Sequence, residues 1–188
     1  MKQMAWIAVL ALVLVGPSLQ AAQEVDKDKD PASLRTSFDK SMNTVITNYD
    51  ATVKNWPNNY VNAIKALQAK LQKDGNLEGW TEAKAELDRF QADQKIEDAN
   101  LSNRPEIQAI QVKFKEIPAQ ASIEKNQKIV SLSQKYVAKL TALQTCLTKQ
   151  GKMEDAIAVN TEIKRVRTSP DVVAAELEIE KHDAAQKK

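Results

Sequence analysis

The chain has 188 residues with 27 Lys and Arg against 25 Asp and Glu, a formal net charge of +2. A nearly balanced charge gives no basic excess to lay along a polyanion, so nucleic acid is not an expected partner. One cysteine excludes an internal disulfide, and few alternating β-branched or aromatic runs occur among four glycines, so the expected fold is all-α with no strands.

Residues 1–22 have the layout of a cleavable secretory signal: a basic start at Lys2, an apolar run from Met4 to Val15, then Gly16 and Pro17 before Ala21 and Ala22. The run is short for a membrane span, which needs roughly 20 residues. Export to a periplasm or beyond is expected, with cleavage near Ala21 or Ala22. A membrane association would follow only if the signal stayed uncleaved. Residues 23–30 read as a charged, flexible leader.

Residues 31–98 are expected to form a first helical hairpin. Apolar residues at Leu34, Phe38, Met42, Val45, Tyr49, Val53, Trp56, Tyr60, Ile64, Leu67 and Leu71 advance by three or four and make one stripe of a helix from about Ser33 to Lys73. Pro57 lies inside it and predicts a kink. Gly75 follows the last turn, where a left-handed residue closes a helix at little steric cost. Leu77, Trp80, Ala83, Leu87 and Phe90 then form the stripe of a return helix, which places Tyr60 beside Phe90.

After a polar linker at 99–104, in which Asn103 and Glu106 are expected to cap the next helix, residues 105–168 repeat the plan. Between Tyr60–Phe90 and Tyr136–Val166, 11 of 31 positions are identical at an offset of 76 without a gap, among them Tyr60/Tyr136, Gly75/Gly151, Glu86/Glu162 and Arg89/Arg165. The offset also pairs Leu34 with Ile110 and Phe38 with Phe114. Pro118 is expected to interrupt this second long helix. The fold class expected is therefore two tandem long α-hairpins, the units of an internal duplication, turning at Gly75 and Gly151. They form a four-helix or extended coiled-coil-like assembly. Residues 169–188 add a polar C-terminal helix that frays.

The turns LQKDGNLEGW and LTKQGKMEDAIAV resemble those of tetratricopeptide helical hairpins, which place Gly before an acidic residue and small residues at the start of the second helix. Those repeats recur every 34 residues, whereas this unit spans 76 and its first helix is much longer. A signal peptide followed by a Tyr-x-x-x-Ile/Leu-x-x-Leu helix and a Gly-Asn/Lys-Leu/Met-Glu turn also resembles secreted helical-hairpin proteins of planctomycete-type bacteria. That resemblance implies export and a hairpin fold and carries no activity with it.

No catalytic, cofactor-binding or metal-ligating set stands out. His182 is alone in the polar tail, and metal sites draw on several ligands at fixed spacing. Glu86 with Arg89 and Glu162 with Arg165 read as exposed ion pairs three residues apart, each contributing about 0.2–0.5 kcal/mol. Cys146 reads as a half-buried thiol, or as the site of an intermolecular disulfide in an oxidising compartment. The expected function is that of an exported, non-enzymatic interaction or scaffold module, acting on a protein partner or on a second copy of itself. Its candidate surface is Leu34, Phe38, Tyr49, Trp56 and Trp80. The overhang of the first helix, 34–53, is covered either by the second hairpin or by another subunit. The alternative is a periplasmic holdase chaperone, weakened by the near-neutral charge.

Overall fold

The computed structural model describes residues 30–187. Five helices, α1 (Pro31–Lys73), α2 (Leu77–Asp93), α3 (Pro105–Lys149), α4 (Met153–Arg167) and α5 (Pro170–Gln186), are joined by short turns and a connector with a 3₁₀ turn at Asp98–Asn100. No strand occurs among the described residues, so the fold is all-α. The signal and the leader before Asp30 lie outside the described residues.

The ends of the helices follow from local chemistry. Asp30 caps α1 by accepting the Ser33 N–H at 3.0 Å, and Pro31 begins the helix where its missing N–H costs nothing. At the other end Gly75 adopts φ +67°, its N–H reaching the Gln72 carbonyl while Asn76 N–H reaches that of Leu71. This pair of bonds is the Schellman closure. The second turn repeats it bond for bond, with Gly151 at φ +72° bonded to Thr148 and Lys152 to Leu147. Asn76 then caps α2 through Gly79 N–H at 2.9 Å. The cap expected from Asn103 is not made: the N-cap of α3 is Arg104, without a side-chain cap bond, and Pro105 opens the helix.

Both helix-interior prolines are carried without a break. α1 runs through Pro57 and α3 through Pro118, which corrects the expected interruption of α3. A proline at 118 has no N–H for the carbonyl of Phe114, four residues back. The Trp56 indole Nε1 donates to that carbonyl at 2.6 Å, so the acceptor freed by the proline is satisfied from the neighbouring helix.

The two long helices lie antiparallel, and their contacts show how the halves are combined. Tyr60 of α1 meets Phe114 of α3 edge-on at 5.5 Å, while Phe38 stacks on Tyr136 at 4.4 Å. Shifting both members of the second pair's α1 and α3 positions by the 76-residue offset exchanges the two contacts: Phe38 corresponds to Phe114, and Tyr60 to Tyr136. Midway, Lys125 Nζ lies 4.4 Å over the ring of Tyr49, its own counterpart at that offset. These three contacts between α1 and α3 are thus related by an approximate two-fold about the Tyr49–Lys125 contact.

The core divides accordingly. Tyr60, Ile64, Leu71, Ala83, Leu87, Phe90 and Ile107 form one cluster, which Ile110 and Phe114 complete from the start of α3. Tyr136, Leu140, Leu143, Val159, Ile163 and Val166 form another, completed by Leu34 and Phe38 from the start of α1. Each long helix therefore lends its first half to the hairpin formed by the other. α5 lies along α3, with Val172 and Ala175 buried beside Ile129, Met42 and Val45. Leu77 and Met153, expected on the buried stripes, stand at the first positions of α2 and α4 and are exposed.

Candidate functional site

The proposed interaction surface is mostly consumed inside the chain. Leu34 is buried and Phe38 packs with it against Tyr136, so the overhang of α1 is covered by the second hairpin. Trp56 meets Phe90 edge-on at 5.6 Å and spends its N–H on Phe114, and Trp80 is half-buried against the first cluster. Tyr49 is half-buried under Lys125. These aromatic residues bury because the antiparallel long helix supplies the apolar area that the short return helices cannot reach. Cys146, expected half-buried, is exposed: it falls on the outer side of the Leu143–Leu147 stripe. His182 lies on α5 near Gln186 and Asp183. Among the described residues no group of three or more His, Cys, Asp and Glu is arranged to hold a metal ion.

Glu86 is not the exposed partner of Arg89 that its spacing suggests. It is buried at 7% exposure, receives the Tyr60 hydroxyl on Oε1, and is held by Arg89 through Nε at 2.8 Å and Nη2 at 2.7 Å. Burial alone would raise its pKa; the hydrogen bonds from Arg89 and Tyr60 outweigh burial and hold the carboxyl below its ordinary 4.5. Burial and the adjacent carboxylate push the Tyr60 hydroxyl up. The same arrangement closes the second hairpin: Tyr136 donates to Glu162 at 3.0 Å, and Arg165 grips that carboxylate at 2.7 and 2.6 Å. The identity of all three residue types at both positions was the available signal. A Tyr, a Glu 26 positions on and an Arg three further recur together because they form one fixed unit.

The hairpins differ on the flank beside this unit. In the first, the connector after α2 lies over the groove between α2 and the start of α3. Gln111, fully buried, accepts the Ser102 N–H at 2.6 Å and donates to the Asn100 carbonyl at 3.1 Å, pinning the connector there. Leu101 packs on the first core, and the Arg104 guanidinium reaches Glu82 at 2.6 Å over Gly79. A Cβ at Gly79 would stand 3.1 Å from that guanidinium and from Leu71, so a larger residue there would make both give by a few tenths of an ångström.

In the second hairpin none of the described residues crosses the equivalent groove, whereas in the first the connector leaves about 740 Å³ beside Glu82 and Glu86. The groove of the second hairpin lies between the start of α1, the end of α3 and α4, has a volume of about 890 Å³, and has Leu140, Leu143 and Val159 buried at its base with Leu147 half-buried. Position by position the loss of cover is visible. Where Ile107 and Gln111 are fully buried, their counterparts Pro31 and Arg35 are exposed. Where Gly79 and Leu71 are buried, Asp155 is exposed and Leu147 half-buried. Asp30, Asp155 and Glu162 line the groove with Arg35 as the one base among the lining residues. No connector or α5 residue within the described chain closes it. Searches of protein-family models, of curated proteins and of solved structures found no match to this chain.

Proposed function

We propose that the chain is an exported binding module that works by docking another polypeptide in the groove of its second hairpin, without chemical turnover. The observation that carries this reading is the difference between the two grooves. Both flanks carry a cavity, but in the first hairpin the chain's own connector runs through it, with about 740 Å³ left beside Glu82, Glu86 and Arg104, while in the second about 890 Å³ is crossed by none of the described residues. A groove whose accessible edge mixes apolar residues, here Pro31, Ala32, Ala158 and half-buried Leu147, with charged ones is a usual form of an interaction site. The two-fold frame around it is rigidly closed by paired Tyr–Glu–Arg units, so the site needs little ordering when it binds.

Ala158 offers the test, because it is exposed and lines the groove. Ala158→Trp fills the space from the rim without opening the core. Affinity capture from the native exported fraction should lose its retained partner at least tenfold with Ala158→Trp and keep it with Val173→Lys, a change on the exposed side of α5. Equal capture by both variants, with unchanged helical content, rules the groove out.

A further inference from the structure

We infer that the open groove takes an extended segment of a partner polypeptide that presents an apolar side chain followed, about three residues on, by an arginine or lysine. This rests on the binding-module reading and specifies the partner's chemistry.

The first hairpin shows what such a groove accepts. Its occupant is non-helical for most of its length. It inserts Leu101 onto the core and delivers Arg104 to the first turns of α2, at 2.6 Å from Glu82 and 3.9 Å from Glu78. Transferred by the 76-residue offset, Glu82 becomes Ala158, the position under the guanidinium, Gly79, becomes Asp155, and Glu78 becomes Glu154, so the acid moves one turn toward the start of the helix. Both carboxylates lie in the first turn of α4 and are exposed. Where the first groove packs its own arginine closely over a glycine, the second places an acid at the same point. A basic residue arriving there would find its counter-charge in Asp155.

The remaining charges of the groove agree with this sign. Arg35 lies 3.7 Å from Asp39 and 4.0 Å from Glu162, so its charge is already matched. Asp30 accepts from Ser33, and Glu162 is gripped by Arg165. Complementary charge sets orientation and rejects wrong partners more than it adds affinity, which is the task left for a rim once the apolar floor is filled.

The probe is a fluorescein-labelled peptide copying residues 94–104 of this chain with Glu97→Lys and Asp98→Lys, read by polarisation against the protein. Saturable binding is expected. It should weaken at least tenfold when the peptide carries Arg104→Glu, when the protein carries Asp155→Lys, and when the protein carries Ala158→Trp; Thr161→Lys replaces the last should it fail to fold. No saturable binding, or binding indifferent to Asp155→Lys, overturns the inference. Tighter binding on Val25→Asp would assign the groove to the chain's own leader and overturn it as well. If the peptide fails while native capture still depends on Ala158, the partner chemistry is wrong and the binding-module reading stands. If neither depends on Ala158, both fall.

Discussion

The two hairpins share their turn geometry, their Tyr–Glu–Arg unit and their dependence on the opposite long helix, yet one flank carries the eleven-residue connector and the other is crossed by none of the described residues. Their burial records the difference: the Glu86 side chain is 7% exposed and that of Glu162 17%, although each is held by a Tyr and an Arg. The lesson is that an identical hydrogen-bonded unit changes its energetic weight with the cover above it. A buried carboxylate stripped from its partners leaves them uncompensated, whereas a half-exposed one leaves them to water.

The largest effect should therefore separate the two glutamates. Glu86→Ala is expected to destabilise by about 3 kcal/mol, because Tyr60 and Arg89 lose their acceptor under cover, and Glu162→Ala by about 1 kcal/mol. Urea unfolding monitored by circular dichroism measures both. Equal losses would mean that the connector contributes nothing to the first unit.

A smaller effect isolates a contact that breaks the symmetry. Trp56 corresponds to Leu132 and Pro118 to Met42, so the indole bond to the Phe114 carbonyl has no counterpart in the other half. Trp56→Phe should cost about 1–2 kcal/mol by leaving that carbonyl unsatisfied. Pro118→Ala supplies a backbone N–H at the right place. In that background the cost of Trp56→Phe should fall to its packing share, and a double-mutant cycle reads the coupling. A coupling of zero would show that the carbonyl finds another donor.

These two sites also mark where sequence reasoning stops. The glycine turns and the apolar stripes are legible because their causes are local: φ at Gly75 and Gly151, and the helical period from Tyr60 to Leu71. The offset of 76 is legible too, as identity between Tyr60–Phe90 and Tyr136–Val166. Burial of Glu86 is not, since a Glu three residues before an Arg looks the same on a solvated helix face as under a connector. Nor is the Trp56–Phe114 bond, whose partners are 58 residues apart and whose need arises only from Pro118. The covering of Leu34 and Phe38 was one of two open arrangements, and which long helix would supply the cover depends on antiparallel docking that no local pattern encodes. The open groove is a property of what is missing above it, so it becomes visible only when the two hairpins are superposed position by position.

The pH dependence of stability compares the same units in the gentlest way. Glu86 and Glu162 both titrate below their ordinary 4.5 in the folded chain, so the unfolded chain takes up protons first on acidification. Their contribution is complete above about 4.5 and is lost as the pH falls through the lower folded values. Tyr60 and Tyr136 are shifted the other way, up from 10.0, by burial and by the carboxylate each one faces. Their contribution is complete below about 10 and declines as the pH rises further, because the unfolded chain then releases protons first. Urea midpoints should accordingly hold a plateau between roughly pH 5 and 9 and fall on both sides. Tyr60 is fully buried and Tyr136 slightly less so; Tyr60→Phe should therefore remove more of the alkaline fall than Tyr136→Phe. An alkaline limb unchanged in the double variant would trace it to other groups and leave the two units equivalent at high pH.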